Sequence, residues 1–373
     1  MAKLGEVCEV LDSKRVPITA ANRVSGQYPY YGANGVQDYV ADYIFDDELV
    51  LLAEDGGNFG SKEKPIAYRV SGKFWVNNHA HVLKPKAVID VDYLCYSLMF
   101  YDVSGLVNGA TRQKLTQSDM RKMEIPLRTM VEQKKIVCRL NKLTELISLR
   151  KQQLTKLDEL VKARFVEMFG DPADNVNNLP ASPMTAICQI IDGDRGKNYP
   201  KQEEFSDSGF CLFLNAKNVT AQGFSFENCT YITEEKDALL RNGKLCRGDV
   251  VLTTRGTIGN LAFYDTSVPY ENIRINSGMV ILRMNKQVVS EIFFIEQFKM
   301  QLDSIKSRIA SGSAQPQLPI STMNKIEMIL PPIELQNQFA AFVERIDQQK
   351  QTVQQSLEKL ELMKKALMQE NFG

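Results

Sequence analysis

The sequence predicts a mixed α/β (α+β) fold, in which two similar globular domains alternate with two long helices that pair as an antiparallel coiled coil. Three observations predict it. The chain resembles itself at long range, two segments carry a sustained seven-residue apolar period, and the remainder mixes short β-rich runs with turns. A length of 373 residues also suits two or three compact units. We therefore expect a pseudo-two-fold internal repeat.

The repeat relates each residue to one 203 positions later in the chain. The segment GATRQKLTQSDMRKMEIPL at 109–127 corresponds to GSAQPQLPISTMNKIEMIL at 312–330. The register then continues without a gap to Gly170 and Gly373. Pairs in this register include Leu115 with Leu318, Gln133 with Gln336, Leu157 with Leu360 and Ala163 with Ala366.

The later part of each copy is predicted to be a long helix, at 133–169 and 336–371. Neither segment contains Pro or Gly, and apolar residues recur at a and d seats. At 1.5 Å per residue each helix would be about 55 Å long. The alternative is two amphipathic helices packed on separate domains. The residues expected to meet across the pair are Leu140, Ile147, Leu154 and Leu157 with Ile346, Val353, Leu357 and Leu360.

These patterns give the expected order of domains. The predicted ranges are a first globular domain at 1–132, a first long helix at 133–170, a linker at 171–183, a second globular domain at 181–332 and a second long helix at 333–373. Both globular domains contain a buried strand that runs into a Gly-rich loop. The loop at 253–260 offers Arg255 as a candidate contact, and the matching loop at 53–64 offers Lys62.

Composition and missing motifs exclude several classes of protein. Lys and Arg number 45, as do Asp and Glu, so the chain cannot coat nucleic acid by bulk charge. Seven cysteines without a CxxC pair predict a reducing cytoplasm. The N-terminal segment does not resemble a signal peptide, and no run of 18 apolar residues predicts a membrane span.

No motif of a familiar catalytic centre is present. The chain lacks GxxxxGK[ST], a GxGxxG after a strand, and the Asn-Pro-Pro-aromatic segment of adenine methyltransferases. His79 and His81 could share a metal, but the sequence suggests no third ligand. We therefore expect no catalytic residue, no metal and no cofactor in this chain. An enzyme with an unfamiliar site in the Gly-rich loops or at the histidine pair is an alternative.

Polar and aromatic residues in the Gly-punctuated loops are the candidate DNA contacts. Glycine lets the backbone approach a partner closely, and arginine forks, amides and hydroxyls suit phosphates and base edges. Each such cluster would also fit a solvated loop or a tight turn. The candidates are Arg255, Thr254, Thr257, Arg195, Lys197, Tyr199, Arg274, Asn276, Asn58, Ser61, Lys62, Asn78, His79, Tyr31, Arg112 and Lys114. Thr111 belongs to the same polar cluster as Arg112.

The layout resembles the specificity (S) subunits of type I restriction–modification enzymes. IPLRTMVEQKKI (125–136) and ILPPIELQNQF (329–339) resemble that family's junction between recognition domain and helix, although the first copy has Arg128-Thr129 where the second has Pro331-Pro332. KLTELISLRKQQLTKLDELVKARFVEMFGDP (142–172) resembles the family's central helix. The segments KLGEV (3–7) and TTRGTIGN (253–260) resemble sequence patterns of the family's target recognition domains.

The resemblance implies a non-catalytic, cytoplasmic subunit that reads a bipartite double-stranded DNA target with a fixed spacer. Two DNA methyltransferase (modification) subunits would bind it and carry S-adenosylmethionine. A restriction subunit, where one accompanies them, would carry ATP and Mg²⁺. Apolar residues outside the helix seam are candidates for the surface that binds the partner subunits. These residues are Leu146, Leu149, Leu160, Phe342 and Met363. A coiled-coil scaffold or adaptor is a further alternative for the function of the chain.

Overall fold

A computed structural model describes residues 1–109, 112–309 and 317–373. Thr111 and the start of the second repeat copy at Gly312 lie outside the described residues. The chain forms two compact units, one of Met1–Gln152 with Gln354–Gly373 and one of Gln153–Val353. No described helix is both long enough and apolar enough to span a membrane.

The first unit is built on a mainly antiparallel sheet of six strands in the order β2-β7-β5-β6-β3-β4. Its elements are β1 (Ala2–Lys3), α1 (Leu4–Val7), β2 (Cys8–Val10), β3 (Ser25–Gly32), β4 (Gly35–Val40), β5 (Phe45–Ala53), β6 (Ala67–Val76), β7 (Ala80–Pro85), α2 (Val91–Met99), β8 (Val107–Asn108), β9 (Lys114–Leu115), α3 (Gln117–Met120), β10 (Glu124–Ile125) and the first part of α4 (Met130–Phe169).

Strand β5 explains why the run at 49–53 is continuously apolar. It pairs with β6 and β7 and is buried on both faces. Val50 and Leu52 face a core that contains α2, whereas Leu49 and Leu51 face a second core on the other side of the sheet. A strand that is covered on both faces loses the usual alternation of polar and apolar residues.

The second unit contains a four-stranded sheet in the order β12-β20-β17-β18 and a three-stranded sheet in the order β16-β13-β19. Its elements are β11 (Ala181–Pro183), α5 (Met184–Ile187), β12 (Cys188–Asp192), β13 (Cys211–Leu214), β14 (Val219–Thr220), β15 (Gly223–Phe224), β16 (Tyr231–Ile232), α6 (Glu234–Leu239), β17 (Val250–Thr253), β18 (Leu261–Phe263), β19 (Ile273–Ile275), β20 (Met279–Met284), α7 (Glu291–Ile309), α8 (Ile320–Met323), β21 (Glu327–Ile329) and the first part of α9 (Ile333–Phe372).

The long helices pair antiparallel within each unit, as the sequence predicts. In the second unit the late residues of α4, such as Phe165, share a core with the early residues of α9, such as Phe339. In the first unit Leu140 shares a core with Phe372. Lys151 pairs with Glu361 at 3.0 Å and Lys350 with Asp158 at 2.7 Å. The helices begin at Met130 and Ile333, three residues before the helical segments predicted at 133–169 and 336–371.

Leu154 is only partly buried, whereas Leu157 and Val161 are buried. Along α4 the seam is therefore buried at Leu140 and again from Leu157 onward, and it is more exposed between them. A polar residue would therefore cost more at Leu157 than at Leu154, because a more deeply buried side chain loses more transfer free energy when it is replaced.

A buried glutamine holds each long helix to its own domain. The side-chain oxygen of Gln133 accepts from the Asp90 amide at 2.8 Å, and its nitrogen donates to the carbonyls of Val88 and Arg128. Gln336 makes the equivalent bonds with the Ser290 amide and with the carbonyls of Val288 and Pro331. Since Gln133 and Gln336 are 203 positions apart, these contacts confirm the repeat register.

Candidate functional site

In the second unit, predicted site residues converge where strand β17 ends. The amides of Thr254 and Arg255 both donate to the Gly278 carbonyl, at 2.9 and 3.2 Å. The Leu318 amide donates to the Thr254 carbonyl at 2.9 Å, so Arg255 and Gln317 form an antiparallel bridge. We call the group the second strand-end site. It comprises Arg195, Thr254, Arg255, Asn276, Gly278 and Gln317.

The bridge orients the exposed side chain of Arg255. Its Nε donates to Oε1 of Gln317 at 3.1 Å, and its terminal nitrogens have no hydrogen-bond partner among the described residues. Arg195 reaches the same turn, where it donates to the Ser277 carbonyl at 3.2 Å and pairs with Asp192. Two guanidinium groups therefore lie around one turn, each with donors left for a partner molecule.

The first unit has the same backbone arrangement where β5 ends. The Glu54 amide donates to the His79 carbonyl at 2.9 Å, and the Leu115 amide donates to the Glu54 carbonyl at 2.7 Å. Asp55 and Lys114 form the antiparallel bridge. In both units an asparagine side-chain oxygen accepts a hydrogen bond from the amide two residues later. Asn77 accepts from the His79 amide, and Asn276 accepts from the Gly278 amide. The first strand-end site comprises Glu54, Asp55, Asn77, His79, Arg112 and Lys114.

This correspondence aligns the two Gly-rich loops residue by residue. Asp55 occupies the position of Arg255, because each is the bridge residue that follows the strand. Lys114 likewise occupies the position of Gln317, as the repeat register requires. The two sites thus share a backbone and differ in side-chain chemistry.

Ion pairs neutralise the carboxylates of the first strand-end site. Asp55 Oδ1 lies 2.5 Å from His79 Nδ1 and 3.0 Å from an Arg112 nitrogen. Glu54 pairs with Arg15 at 2.6 Å and with Lys114 at 3.0 Å. Burial alone would raise the pKa of Glu54, but the hydrogen bonds from Arg15 and Lys114 outweigh it and hold that pKa below its ordinary value. Glu54 therefore remains ionised at neutral pH, and both carboxylates have cationic partners.

Beneath this site, His81 is fully buried in a charged network. Its Nδ1 lies 2.6 Å from Asp12 and its Nε2 lies 2.9 Å from the Leu115 carbonyl. Both of these partners are hydrogen-bond acceptors, so each ring nitrogen of His81 faces an oxygen atom. The ligand atoms of Asp12, Glu54 and His81 lie within 4.8 Å of one another. Arg15, which contacts both carboxylates, already supplies the positive charge that a metal ion would bring. His79 and His81 have separate partners and do not converge.

The structure corrects the DNA-contact role predicted for Arg274 and Thr254. Arg274 is 5% exposed, pairs with Asp237, and donates to the carbonyls of Asn242, Asp237 and Leu240. The Thr254 hydroxyl is buried and donates to the Gly278 carbonyl at 3.0 Å. Strand alternation places Arg274 on a face that α6 covers, so its donors are used inside the domain.

Several of the remaining predicted residues have partners within their own unit, and others are exposed. Asn276 is half-buried and supports the turn through Gly278. The side chain of Asn58 donates to the Pro65 carbonyl, Ser61 caps the amides of Glu63 and Lys64, and Tyr31 packs on Tyr68 and Phe74. Tyr199 packs edge-on against Phe213. Those that are exposed and remain predicted contacts are Lys62, Asn78, Arg112, Lys114, Arg195, Lys197, Arg255 and Thr257.

Sequence reasoning missed Asp55 and Gln317 as members of the sites. The pairing of Asp55 with Arg112 joins residues 57 positions apart, which no local pattern reveals. The signal that could have found Gln317 is the repeat itself, since Gln317 matches Lys114 and directly precedes Leu318.

Two of the predicted partner-surface residues line one groove of the second unit. The groove has a volume of about 970 Å³ and lies between α4 and α9. Leu160, Ala163, Ala341 and Phe342 form its apolar floor, and the charged residues at its rim are Arg164, Glu167, Glu344 and Arg345. Leu146, Leu149 and Met363 are exposed elsewhere on the helices.

The chain has a strand-end site in each of its two units and two long helices that pair. This arrangement is that of a two-domain recognition protein. Comparison with known proteins identifies its family. The family model described as type I restriction modification DNA specificity domain matches residues 1–159 and 184–362. The chain therefore belongs to the type I restriction–modification DNA specificity family. The two matched ranges correspond to the two copies of the repeat.

Curated relatives and solved structures agree with this assignment. A putative type I restriction enzyme specificity subunit, S.HindORF215P of Haemophilus influenzae, is 27% identical over 92% of this chain and 86% of its own length. The MjaVIII specificity subunit of Methanocaldococcus jannaschii is 22% identical over 99% and 90%. The S subunit of a type I system from M. genitalium shares the fold, with a TM-score of 0.60, 17% identity, and coverage of 100% and 95%.

Proposed function

We propose that this chain is the DNA-sequence specificity subunit of a type I restriction–modification complex, with each unit reading one half of a bipartite target. One observation carries the proposal: the strand-end site occurs in both units with the same antiparallel bridge, two equivalent backbone hydrogen bonds and different side chains. A repeated frame with unlike side chains suits the reading of two unlike half-sequences. A scaffold or an unfamiliar enzyme would have no need for such a pair of sites.

The chain itself would recognise DNA and leave the chemistry to its partners. Two modification subunits would methylate an adenine in each half-site with S-adenosylmethionine, and a restriction subunit would use ATP and Mg²⁺. Phosphate contacts from these subunits would supplement the charged groups of a chain with zero net charge. The complex would act on DNA in the cytoplasm.

Methylome sequencing of cells that carry this chain together with a type I modification subunit tests the proposal. We expect a split motif, interrupted by a fixed spacer and methylated on both strands. Cells that carry the modification subunit alone are the control and should lack the motif. Methylation at an uninterrupted sequence, or methylation that does not depend on this chain, would contradict the proposal.

Replacing Arg255 with alanine should weaken DNA binding of the assembled complex by about 1–3 kcal/mol. The exposed guanidinium has free donors that can reach a guanine edge or a phosphate. If it reads a base, preference at one position of one half-site relaxes. If it holds a phosphate, binding weakens evenly across sequences and the salt slope flattens by about one. Affinity measured on matched and mismatched half-sites at several salt concentrations separates these outcomes.

Lys217→Ala is the matched control for this variant, since Lys217 is an exposed cation of the same unit outside the site. It should leave site-specific affinity unchanged. If Arg255→Ala instead lowers the melting temperature while the folded fraction keeps full affinity, Arg255 only stiffens the loop and is not a DNA contact.

Placing glutamate at Phe342 should weaken binding of a modification subunit tenfold or more. The groove between α4 and α9 is apolar at its floor, and a carboxylate there would be desolvated by any partner that fills it. Titration of labelled modification subunit into the purified chain measures the effect. Leu362→Glu is the control, because Leu362 is 67% exposed on α9 and does not line the groove. Unchanged binding by Phe342→Glu would exclude the groove as the docking surface.

A further inference from the structure

The two strand-end sites place side chains of opposite hydrogen-bonding character at the same position. Asp55 follows strand β5 and forms a β-bridge with Lys114, the residue before the buried Leu115. Arg255 follows strand β17 and forms a β-bridge with Gln317, the residue before the buried Leu318. An ionised carboxylate only accepts hydrogen bonds, and a guanidinium only donates them. The two residues therefore cannot bind the same hydrogen-bonding group of a base edge.

We propose that this bridge position determines one base of each half-site. In the first half-site Asp55 would accept a hydrogen bond from the amino group of a cytosine or an adenine. In the second, Arg255 would donate to O6 and N7 of a guanine, the edge that an arginine fork matches. The inference rests on the proposed function and adds to it the class of base that each unit selects at this position.

Asp55 retains a free acceptor for this role. Oδ1 is taken by His79 and Arg112, whereas Oδ2 has no hydrogen-bond partner among the described residues. The two partners hold the carboxylate in one orientation, so little side-chain entropy remains to be lost on binding. On the other unit, Gln317 orients Arg255 through Nε and leaves the terminal nitrogens free.

The surrounding charges make a carboxylate tolerable beside DNA. Arg112 and Lys114 are exposed cations within 3.0 Å of Asp55 and Glu54 respectively, and Arg15 pairs with Glu54 from within the domain. The site is therefore not a patch of net negative charge that phosphates would repel. Asp55 would be selective because an amino group at the base edge can donate a hydrogen bond to its free oxygen. A base carbonyl or N7 would instead place a second acceptor against that oxygen, and the two would repel each other.

A competing role for Asp55 is to position Arg112, which would then contact a phosphate. The two roles differ in what the loss of the carboxylate does. Loss of base readout changes preference at one position only, whereas loss of a phosphate contact weakens binding evenly across sequences.

The test uses the chain assembled with its modification subunits and a library of duplexes randomised in both half-sites. For Asp55→Ala we expect discrimination at one position of one half-site to fall about 5- to 150-fold, with the other half-site unchanged. Arg255→Ala should do the same in the opposite half-site, at a position where the unaltered complex selects guanine. Asp55→Asn keeps the size of the side chain and adds a donor, so it should raise adenine relative to cytosine at the affected position.

Asp38→Ala is the matched control, because Asp38 is another carboxylate of the first unit that pairs with an arginine, Arg23 at 3.3 Å. It should leave both half-site profiles unchanged. An even loss of affinity with Asp55→Ala, an unchanged profile, or selection of guanine or thymine at the affected position would each overturn the inference. Failure of the proposed function would look different, since the unaltered complex would then show no bipartite preference at all.

Discussion

Phe165→Ala should lower the free energy of unfolding by about 3–5 kcal/mol, the usual cost of removing a fully buried aromatic ring. Phe165 has no solvent exposure. Its ring centroid lies 5.1 Å from that of Phe169, 5.3 Å from that of Phe293 and 5.3 Å from that of Phe339. One side chain thus joins α4, α7 and α9 in the second unit. Its removal leaves a cavity that three helices would have to close together.

Urea unfolding followed by far-UV circular dichroism measures this loss. Val166→Ala is the control, because the neighbouring Val166 is 44% exposed on the same turn of α4 and its truncation should cost less than about 0.5 kcal/mol. A loss of less than about 1 kcal/mol with Phe165→Ala would mean that the aromatic cluster is not packed as described.

Arg274→Ala should cost about 3–5 kcal/mol, because it leaves the buried carboxylate of Asp237 without its main partner. Arg274 pairs with Asp237, and its remaining donors bind the carbonyls of Asn242 and Leu240. Burial by itself would raise the pKa of Asp237, but hydrogen bonds from Lys244 and Arg274 lower it, so the group is charged at neutral pH. Lys244, which is partly exposed, would offset only part of the loss.

Two further measurements separate this structural role from DNA binding. The double variant Arg274→Met with Asp237→Leu removes both charges and should recover most of the stability, since replacing a buried pair by apolar groups is often neutral. The folded fraction of Arg274→Ala should keep its affinity for DNA. Selective loss of affinity without loss of stability would restore Arg274 to the list of DNA contacts.

Local patterns were sufficient to predict the helices and the repeat. The absence of Pro and Gly and the seven-residue apolar period correctly predicted two long helices. They could do so because the residues that form a coiled-coil seam lie close together in sequence. Gln133 and Gln336, which the repeat register places at equivalent positions, are the two buried glutamines that hold the long helices to their domains. Strand β5 was recognisable because a long apolar run is typical of a strand that is covered on both faces.

The candidate sites were predictable only in part, because their side chains meet through long-range contacts. Arg274 looked like an available donor, since its partner Asp237 lies 37 positions earlier on another element. Loop composition pointed to Lys62 as the contact of the first loop, whereas the backbone bridge places Asp55 at the position of Arg255. A sequence pattern shows which residue types a loop contains. It does not show which of them an ion pair already occupies.

The first unit takes its last residues from the far end of α9, and this affects how the chain folds as it is made. The ring of Phe372 lies 5.1 Å from that of Tyr93, and Leu367 and Met368 pack on the same core. The second unit, by contrast, is continuous from Gln153 to Val353. The core of the first unit therefore stays incomplete, with apolar surface exposed, until residues beyond 354 have been made and have folded back onto it. We expect the first unit, although its synthesis begins earlier, to close its core no sooner than the second.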